Sequence, residues 1–383
     1  MKIVCKILLI LKCILVVHTH IIGSASSEVI GGRNPKWFPF YSIGRFAQDT
    51  CVGTNKLIGT CTLALQCSDI GGTTTGATAC SQANTRQASC CIVTKTCGSS
   101  ADYNNTYFVN SGYPQTFPGG SRCDIRVTRL GSDVCQLRID FLEFTLAQPT
   151  GDGLCSSDYF GVSGGSSPVP RICGENSGQH VYVDFSGDHP ITITVATSSS
   201  VSFNRRWHFH LQQIGCDSPS KAPSGCLQYW MDKSGYVSSF NYASAASGST
   251  NSIGVQGSRQ IASLSYGACV KAAPGTCSIT WSRPTGDAFA FTVTGDVGAI
   301  DPAILGTAAV QEQMCTTDYV TIPSAQQNGV DALGGDRFCG LGIDDTTSIS
   351  RPYVIYTKTN ANEMTDIGNR GWYLTYTQNM CPV

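Results

Sequence analysis

The sequence predicts an all-β chain, two antiparallel β-sandwiches preceded by a small disulfide-rich module, and three observations carry that reading. First, short runs alternate apolar and polar residues: Ile125-Arg126-Val127, Leu137-Arg138-Ile139-Asp140-Phe141 and Ile191-Thr192-Ile193-Thr194-Val195. Alternation with period two marks strands buried on one face, and the Gly and Pro residues between them mark turns. Second, the cysteines beyond the N-terminal leader fall into three sets of six. Third, one frame occurs twice. Cys155-Ser-Ser-Asp-Tyr159 and Arg171-Ile-Cys-Gly174 return as Cys315-Thr-Thr-Asp-Tyr319 and Arg337-Phe-Cys-Gly340. A closing strand follows each copy, with Trp207 and Trp372 both nine residues before a last cysteine, Cys216 and Cys381.

The elements follow in chain order. Lys2 and Lys6, the apolar stretch from Ile7 to Val17 and the small residues at 23–27 read as a secretory signal over residues 1–26. That apolar stretch is too short to span a bilayer, and the mature chain is expected to be secreted and extracellular, with no membrane span. Residues 27–50 form an aromatic-rich lead-in around Trp37-Phe38-Pro39-Phe40-Tyr41. Residues 51–91 carry Cys51, Cys61, Cys67, Cys80, Cys90 and Cys91, too many cysteines and too few apolar residues for anything but a stapled module. Fifteen pairings of six cysteines are open on spacing alone. The sandwiches are expected over 97–216 and 226–381, joined by a Pro/Ser-rich, semi-rigid linker, 217–225. The second copy gains a Ser/Ala/Gly-rich segment around Ala243–Gly257, expected as an exposed loop.

Composition excludes several functions. Charged residues are 13% of the chain and the net charge is −1, which gives no field for nucleic acid or anionic lipid. No Cys-x-x-Cys knuckle is present for zinc, and even cysteine sets in a secretory chain imply disulfides.

Two resemblances can be named on particular residues. The spacing of Cys51 to the adjacent pair Cys90-Cys91 resembles the clip module of arthropod protease-cascade proteins. Ser111-Gly-Tyr-Pro114, Phe117-Pro118, Cys123, Cys155 with Asp158, and Cys173-Gly174 resemble a CUB domain over 97–216, and 226–381 resembles a divergent second one. The clip resemblance implies Cys51–Cys90, Cys61–Cys80 and Cys67–Cys91. The CUB resemblance implies Cys97–Cys123, Cys155–Cys173, Cys226–Cys269 and Cys315–Cys339. With those placed, Cys135 and Cys216 remain for one another, as do Cys277 and Cys381. The combination resembles insect-type secreted proteins with a clip module and CUB domains, and implies jelly-roll sandwiches that bind rather than catalyse.

The candidate chemistry is thin. Gly161-Val-Ser-Gly-Gly165 has the Gly-x-Ser-x-Gly spacing of a nucleophile elbow, but it runs into Ser-Ser-Pro-Val-Pro rather than a helix, so Ser163 is not expected to act and the chain is not expected to be an enzyme. Resemblance to calcium-binding CUB domains makes Asp158 and Asp318 the calcium candidates. In that register the other two acidic positions fall on Ala147 and Thr294, and on Ser198 and the neighbourhood of Thr359, with Asp152 and Asp296 the nearest substitutes. A hard cation wants several oxygen ligands, so no calcium or other cofactor is expected, and the two aspartates are expected to bond loop N–H groups. His208 and His210 share one strand face, expected to be solvated. Asn104-Asn105-Thr106 is a glycosylation sequon, expected to be used at Asn104. The function expected is non-enzymatic extracellular binding, as an adaptor for a protein or glycan. The alternative is regulation of a serine-protease cascade through the clip-like module.

Overall fold

The computed structural model describes residues 50–76, 80, 88–242, 260–287, 289–293, 310–311, 315–332, 335–364 and 369–382. The signal, the aromatic lead-in up to residue 49 and the Ala243–Gly257 segment lie outside them. The described chain is all-β apart from one short helix, Ala64–Asp69, whose Cys67 is its buried residue.

Eight strands correspond between the two sandwiches, and the second adds Phe291–Thr292, Val310–Gln311, Ala325–Gln327, Val330–Asp331 and Arg337–Cys339 to its sheets. In the first, one sheet runs in the order Thr106–Val109, Arg206–Gly215, Val134–Thr145, His180–Asp184, and the facing sheet runs Ser99–Ala101, Arg122–Val127, Ile191–Ala196, Tyr159–Ser163. In the second, the corresponding orders are Ser234–Ser238, Gly371–Met380, Thr276–Ser282, Thr346–Ser348, and Cys226–Trp230, Ser265–Val270, Tyr353–Lys358, Tyr319–Thr321. Each copy contains one parallel pair at the same place, Ser99–Ala101 on Arg122–Val127 and Cys226–Trp230 on Ser265–Val270. Two copies that share even this irregular pairing share a fold. The inward residues of the closing strands, Trp207, Phe209 and Leu211 in one copy and Trp372, Leu374 and Tyr376 in the other, are all buried. Period-two burial of this kind is what places each side of a half-buried strand.

Among the described residues nine disulfides staple the chain. In the small module they join Cys51 to Cys90, Cys61 to Cys80 and Cys67 to Cys91. In the first sandwich they join Cys97 to Cys123, Cys135 to Cys216 and Cys155 to Cys173. In the second they join Cys226 to Cys269, Cys277 to Cys381 and Cys315 to Cys339. None crosses between these sets, so whatever joins the three parts is non-covalent apart from the chain itself.

The small module is not a separate bead. Its last strand, Ala88–Lys95, runs past Cys91 and pairs in parallel with Thr106–Val109, setting Val93 beside Thr106 and Lys95 beside Phe108. The module's four strands thereby extend the first sandwich's sheet. Tyr107 fixes the contact: its hydroxyl accepts from the Ile58 N–H at 2.7 Å and donates to the Ile58 carbonyl at 2.9 Å.

The linker is more than a semi-rigid spacer. Ala222 is buried, and the Gln136 side chain holds it from both directions, accepting from its N–H at 2.8 Å and donating to its carbonyl at 2.9 Å. Beyond it the two sandwiches meet through buried amides. Gln179 donates to the Ser238 hydroxyl at 2.9 Å and the Ser239 carbonyl at 3.1 Å. Asn241 donates its N–H to Asn176 Oδ1 at 2.8 Å, accepts from the Glu175 N–H at 2.9 Å and donates Nδ2 to Gln148 at 2.9 Å. Buried amides cost little only when their partners are kept, so the bonds fix one docking geometry rather than a sliding contact. A small apolar cluster of Tyr182, Ile214, Ala222, Tyr229 and Val354 lies across the same junction.

Gly174 makes this approach possible. Its φ is +79°, and a Cβ there would fall 2.0 Å from Asn241 Oδ1. Gly174→Ala is therefore expected to lower stability by about 2–4 kcal/mol, through left-handed strain and displaced junction bonds. Urea denaturation measures the loss, and limited proteolysis is expected to cut the 217–225 linker faster. An unchanged urea midpoint together with an unchanged cleavage rate would refute this account of the junction.

Candidate functional site

The functional geometry centres on one row of side chains across the outer face of the first sandwich's main sheet. Strand register sets Tyr107 opposite His210, His210 opposite Asp140, and Asp140 opposite His180. Paired residues in neighbouring strands point to the same face, so four polar or aromatic groups on separate strands line up. The rings of Tyr107 and His210 stack at 5.0 Å. His210 Nδ1 lies 3.3 Å from Asp140 Oδ2, and its Nε2 lies 3.2 Å from Asn105 Oδ1. Arg138 holds the other Asp140 oxygen at 2.7 Å and donates to the Tyr182 hydroxyl at 3.0 Å. Burial alone would raise the Asp140 carboxyl, but the His210 hydrogen bond and the Arg138 charge hold it below its ordinary range.

His180 ends the row and crosses the junction. Its Nε2 accepts from the Tyr229 N–H of the second sandwich at 2.9 Å, and its ring meets Trp230 edge-on at 4.6 Å. The strand Cys226–Trp230 is a sheet edge, so the His180 side chain satisfies a backbone donor that the ladder leaves open. That bond requires an unprotonated Nε2. Burial, aided by the Arg138 charge, drives the imidazole down to about 3, with Asp140 opposing.

His208 and His210 are thus not a solvated pair. His210 is buried between Tyr107, Asn105 and Asp140. His208 sits 3.1 Å from the Tyr113 hydroxyl, which donates to Glu143 at 2.8 Å, and burial lowers its imidazole. The sequence places both on the outer face correctly. It does not show that neighbouring aromatic rings and hydrogen-bond partners cover that face.

The calcium candidates occupy different surroundings in the two copies. Asp158 is buried against Arg205, whose side chain is also fully buried. Arg205 Nε reaches Asp158 Oδ2 at 2.7 Å and Nη2 reaches Oδ1 at 3.0 Å. The Ala147 and Ser198 N–H groups, the positions aligned with the missing acids, donate to the same carboxylate at 3.0 Å each. A guanidinium and two amides thus take the place a cation would need, and calcium does not fit there. In the second copy the buried Asp318 accepts from the Asn360 N–H at 2.6 Å and from Gln260 Nε2 at 3.2 Å. Gln260 also donates to Glu363 at 2.9 Å, a buried acid four positions beyond Thr359. Thr359 itself donates to the Ile261 carbonyl and accepts from the Leu264 N–H. Asp152 engages the Thr150 hydroxyl, while Asp296 and Thr294 lie outside the described residues.

Other singled-out residues are placed as follows. Ser163 ends the strand Tyr159–Ser163, exposed and paired with Thr192, and the chain turns through Gly164 without entering a helix. Asn104 is half-buried, and its Oδ1 accepts from the Gln213 N–H at 2.7 Å. Cys51, Cys61 and Cys80 bring their sulfurs together, but each is consumed by a disulfide. Among the described residues no helix is long and apolar enough to cross a membrane.

Comparison with known proteins gives one family. Residues 223–379, the second sandwich, match the animal CUB domain and form a CUB domain. No curated protein matches the sequence. Similar solved structures include the CUB1-EGF-CUB2 domains of rat MASP-1, at 13% identity and TM-score 0.26, covering 74% of this chain and 99% of that one. The CUB1-EGF-CUB2 domain of human MASP-1/3 matches at 15% identity and TM-score 0.24, covering 71% and 98%. The extracellular region of zebrafish Gpr126/Adgrg6 matches at 11% identity and TM-score 0.25, covering 76% and 37%. The family match falls on the copy that departs further from the motif in sequence.

Arg205→Ala leaves the buried Asp158 carboxylate unpaired and is expected to cost about 3–5 kcal/mol. The double variant Arg205→Met with Asp158→Asn is expected to lose less than that, measured by urea denaturation. A double variant less stable than Arg205→Ala would contradict the pairing. For His180, the native pKa lies below its ordinary value of 6.5, so the unfolded chain binds the proton first. The stabilisation is complete above about pH 6.5 and is lost at about 1.4 kcal/mol per unit as pH falls toward 3. His180→Gln keeps an acceptor for Tyr229 and is expected to flatten that slope between pH 7 and 4.5. Parallel slopes for the two proteins would exclude His180 as the source.

Proposed function

We propose that this chain is a secreted, non-catalytic adaptor in which both sandwiches are CUB domains and act as one rigid binding body for an extracellular protein. The observation that carries the reading is the junction. The buried side chains of Asn176, Gln179, Gln228 and Asn241 interlock the two sandwiches. Relative motion between domains is the ordinary expectation unless an interface forbids it. A fixed pair of domains spends its structure on presenting a composite surface, which suits recognition of a shaped partner. CUB domains typically mediate contacts between proteins, and the nine disulfides suit an oxidising extracellular setting. The Ser163 loop lacks the strand-to-helix turn that a Gly-x-Ser-x-Gly nucleophile elbow requires, in keeping with binding as the role.

A second reading has its own observation. On the small module, Leu65 is 82% exposed and Val52 58% exposed, in a domain otherwise closed by its disulfides. Exposed apolar side chains of that size suit a docking contact, and a serine protease of an extracellular cascade is the partner that reading names.

One experiment serves both. Photo-crosslinking capture with the full disulfide-bonded chain in its native extracellular fluid is expected to yield a discrete protein partner, with capture reduced severalfold by Gly174→Ala. Should a serine protease be captured and lost on Leu65→Asp but not on Gly174→Ala, the second reading replaces the first. Capture of no protein at all refutes both.

A further inference from the structure

At the junction, beside the His180 contact, a cleft of about 430 Å³ is walled by both sandwiches. Residues 175–179 of the first form one side, and Trp230, Asp232, Tyr236 and Tyr373 of the second form the other. Three tyrosines stack in near-parallel order. Tyr236 lies on Tyr373 at 5.5 Å and 11°, and Tyr373 lies on Tyr242 at 5.4 Å and 17°. Tyr242 is anchored by donating its hydroxyl to Asp287 at 2.5 Å. Tyr236, at the other end of the stack, is 58% exposed, although it belongs to a strand fully paired with Gly371–Met380.

The charges in this cleft have one sign. Its charged lining residues, Glu175 and Asp232, are both acidic, and among the described residues no Lys, Arg or His lines it. The neighbouring Lys233 directs its ammonium to the Met380 sulfur at 3.3 Å instead. Aromatic faces carry negative potential, so stacked rings beside an exposed carboxylate attract a cation and reward its partial desolvation. A neutral apolar group would gain the ring contacts but would also have to lie against Asp232.

We propose that this cleft is the recognition pocket for a lysine or arginine side chain of the partner protein, held over the Tyr236 ring with its charge toward Asp232. The assignment rests on the adaptor reading above and supplies the chemistry of its partner. Because one wall comes from each sandwich, the pocket exists only in the docked arrangement.

Saturation-transfer NMR on the full chain tests it, with N-acetyl-lysine methylamide as the probe and N-acetyl-norleucine methylamide as the neutral analogue that lacks the ammonium. The lysine probe is expected to bind at least about fivefold more tightly than norleucine, with only the former weakened by added salt. Asp232→Asn and Tyr236→Ala are each expected to weaken lysine binding by about fivefold, whereas Tyr103→Ala, an exposed tyrosine outside the cleft, leaves it unchanged. Asp232 and Tyr236 are both exposed, and near-UV circular dichroism confirms that each variant is folded. Equal binding of the two probes, or lysine binding indifferent to both variants, overturns the pocket. If partner capture then persists undiminished with Asp232→Asn and Tyr236→Ala, the pocket fails and the adaptor reading stands.

Discussion

The bond from the Tyr229 N–H to His180 Nε2 is the constraint on which the arrangement of this molecule depends. An exposed sheet edge invites pairing with other chains, and a common remedy is to cover it. Here one sandwich covers the edge of the other with a neutral imidazole. The imidazole is held at the end of a cross-strand row that begins at Tyr107, where the small module docks. The same face of one sheet therefore receives a neighbour at each end. Its residues are polar because they must bond to backbone groups of two different partners, and buried because those partners cover them.

The two sandwiches share strand order but treat the same aspartate differently. Asp158 is neutralised by Arg205 in a buried, bidentate pair. Asp318 is held by Asn360 and by Gln260, which also bonds Glu363. The residue matching Arg205 in the closing strand, Arg370, lies over the Phe289 ring at 3.5 Å. The strand order is the same in both sandwiches while the loop ends differ, the expected division where strands carry the core and loops vary.

Much of the fold was legible because its signals are local or covalent. Alternation in Ile191–Val195 marks a strand by itself, and the repeated Cys-x-x-Asp-Tyr and Trp-to-Cys spacings mark a duplication without any knowledge of contacts. What could not be read depends on which neighbour covers a residue. His180 and His210 look like ordinary strand residues until Tyr229 and Asn105 are brought against them. Arg205 and Arg206 are adjacent and identical in type, yet only the first turns inward to Asp158, while the second pairs with Glu143 in partial solvent. Glu363 escaped the calcium register because it lies four positions beyond the place where the motif expects an acid. Tyr236, Tyr242 and Tyr373 are scattered in sequence, and only the pairing of Ser234–Ser238 with the closing strand stacks them.

The pinned linker bears on how the molecule withstands proteolysis. Lys221 is exposed within it and offers an obvious cleavage point to trypsin-like enzymes. Yet Ala222 next to it is gripped by Gln136, and the buried amides beyond it belong to both halves. A nick at that lysine would cut the chain without parting the assembly, and the two fragments would separate only once denatured.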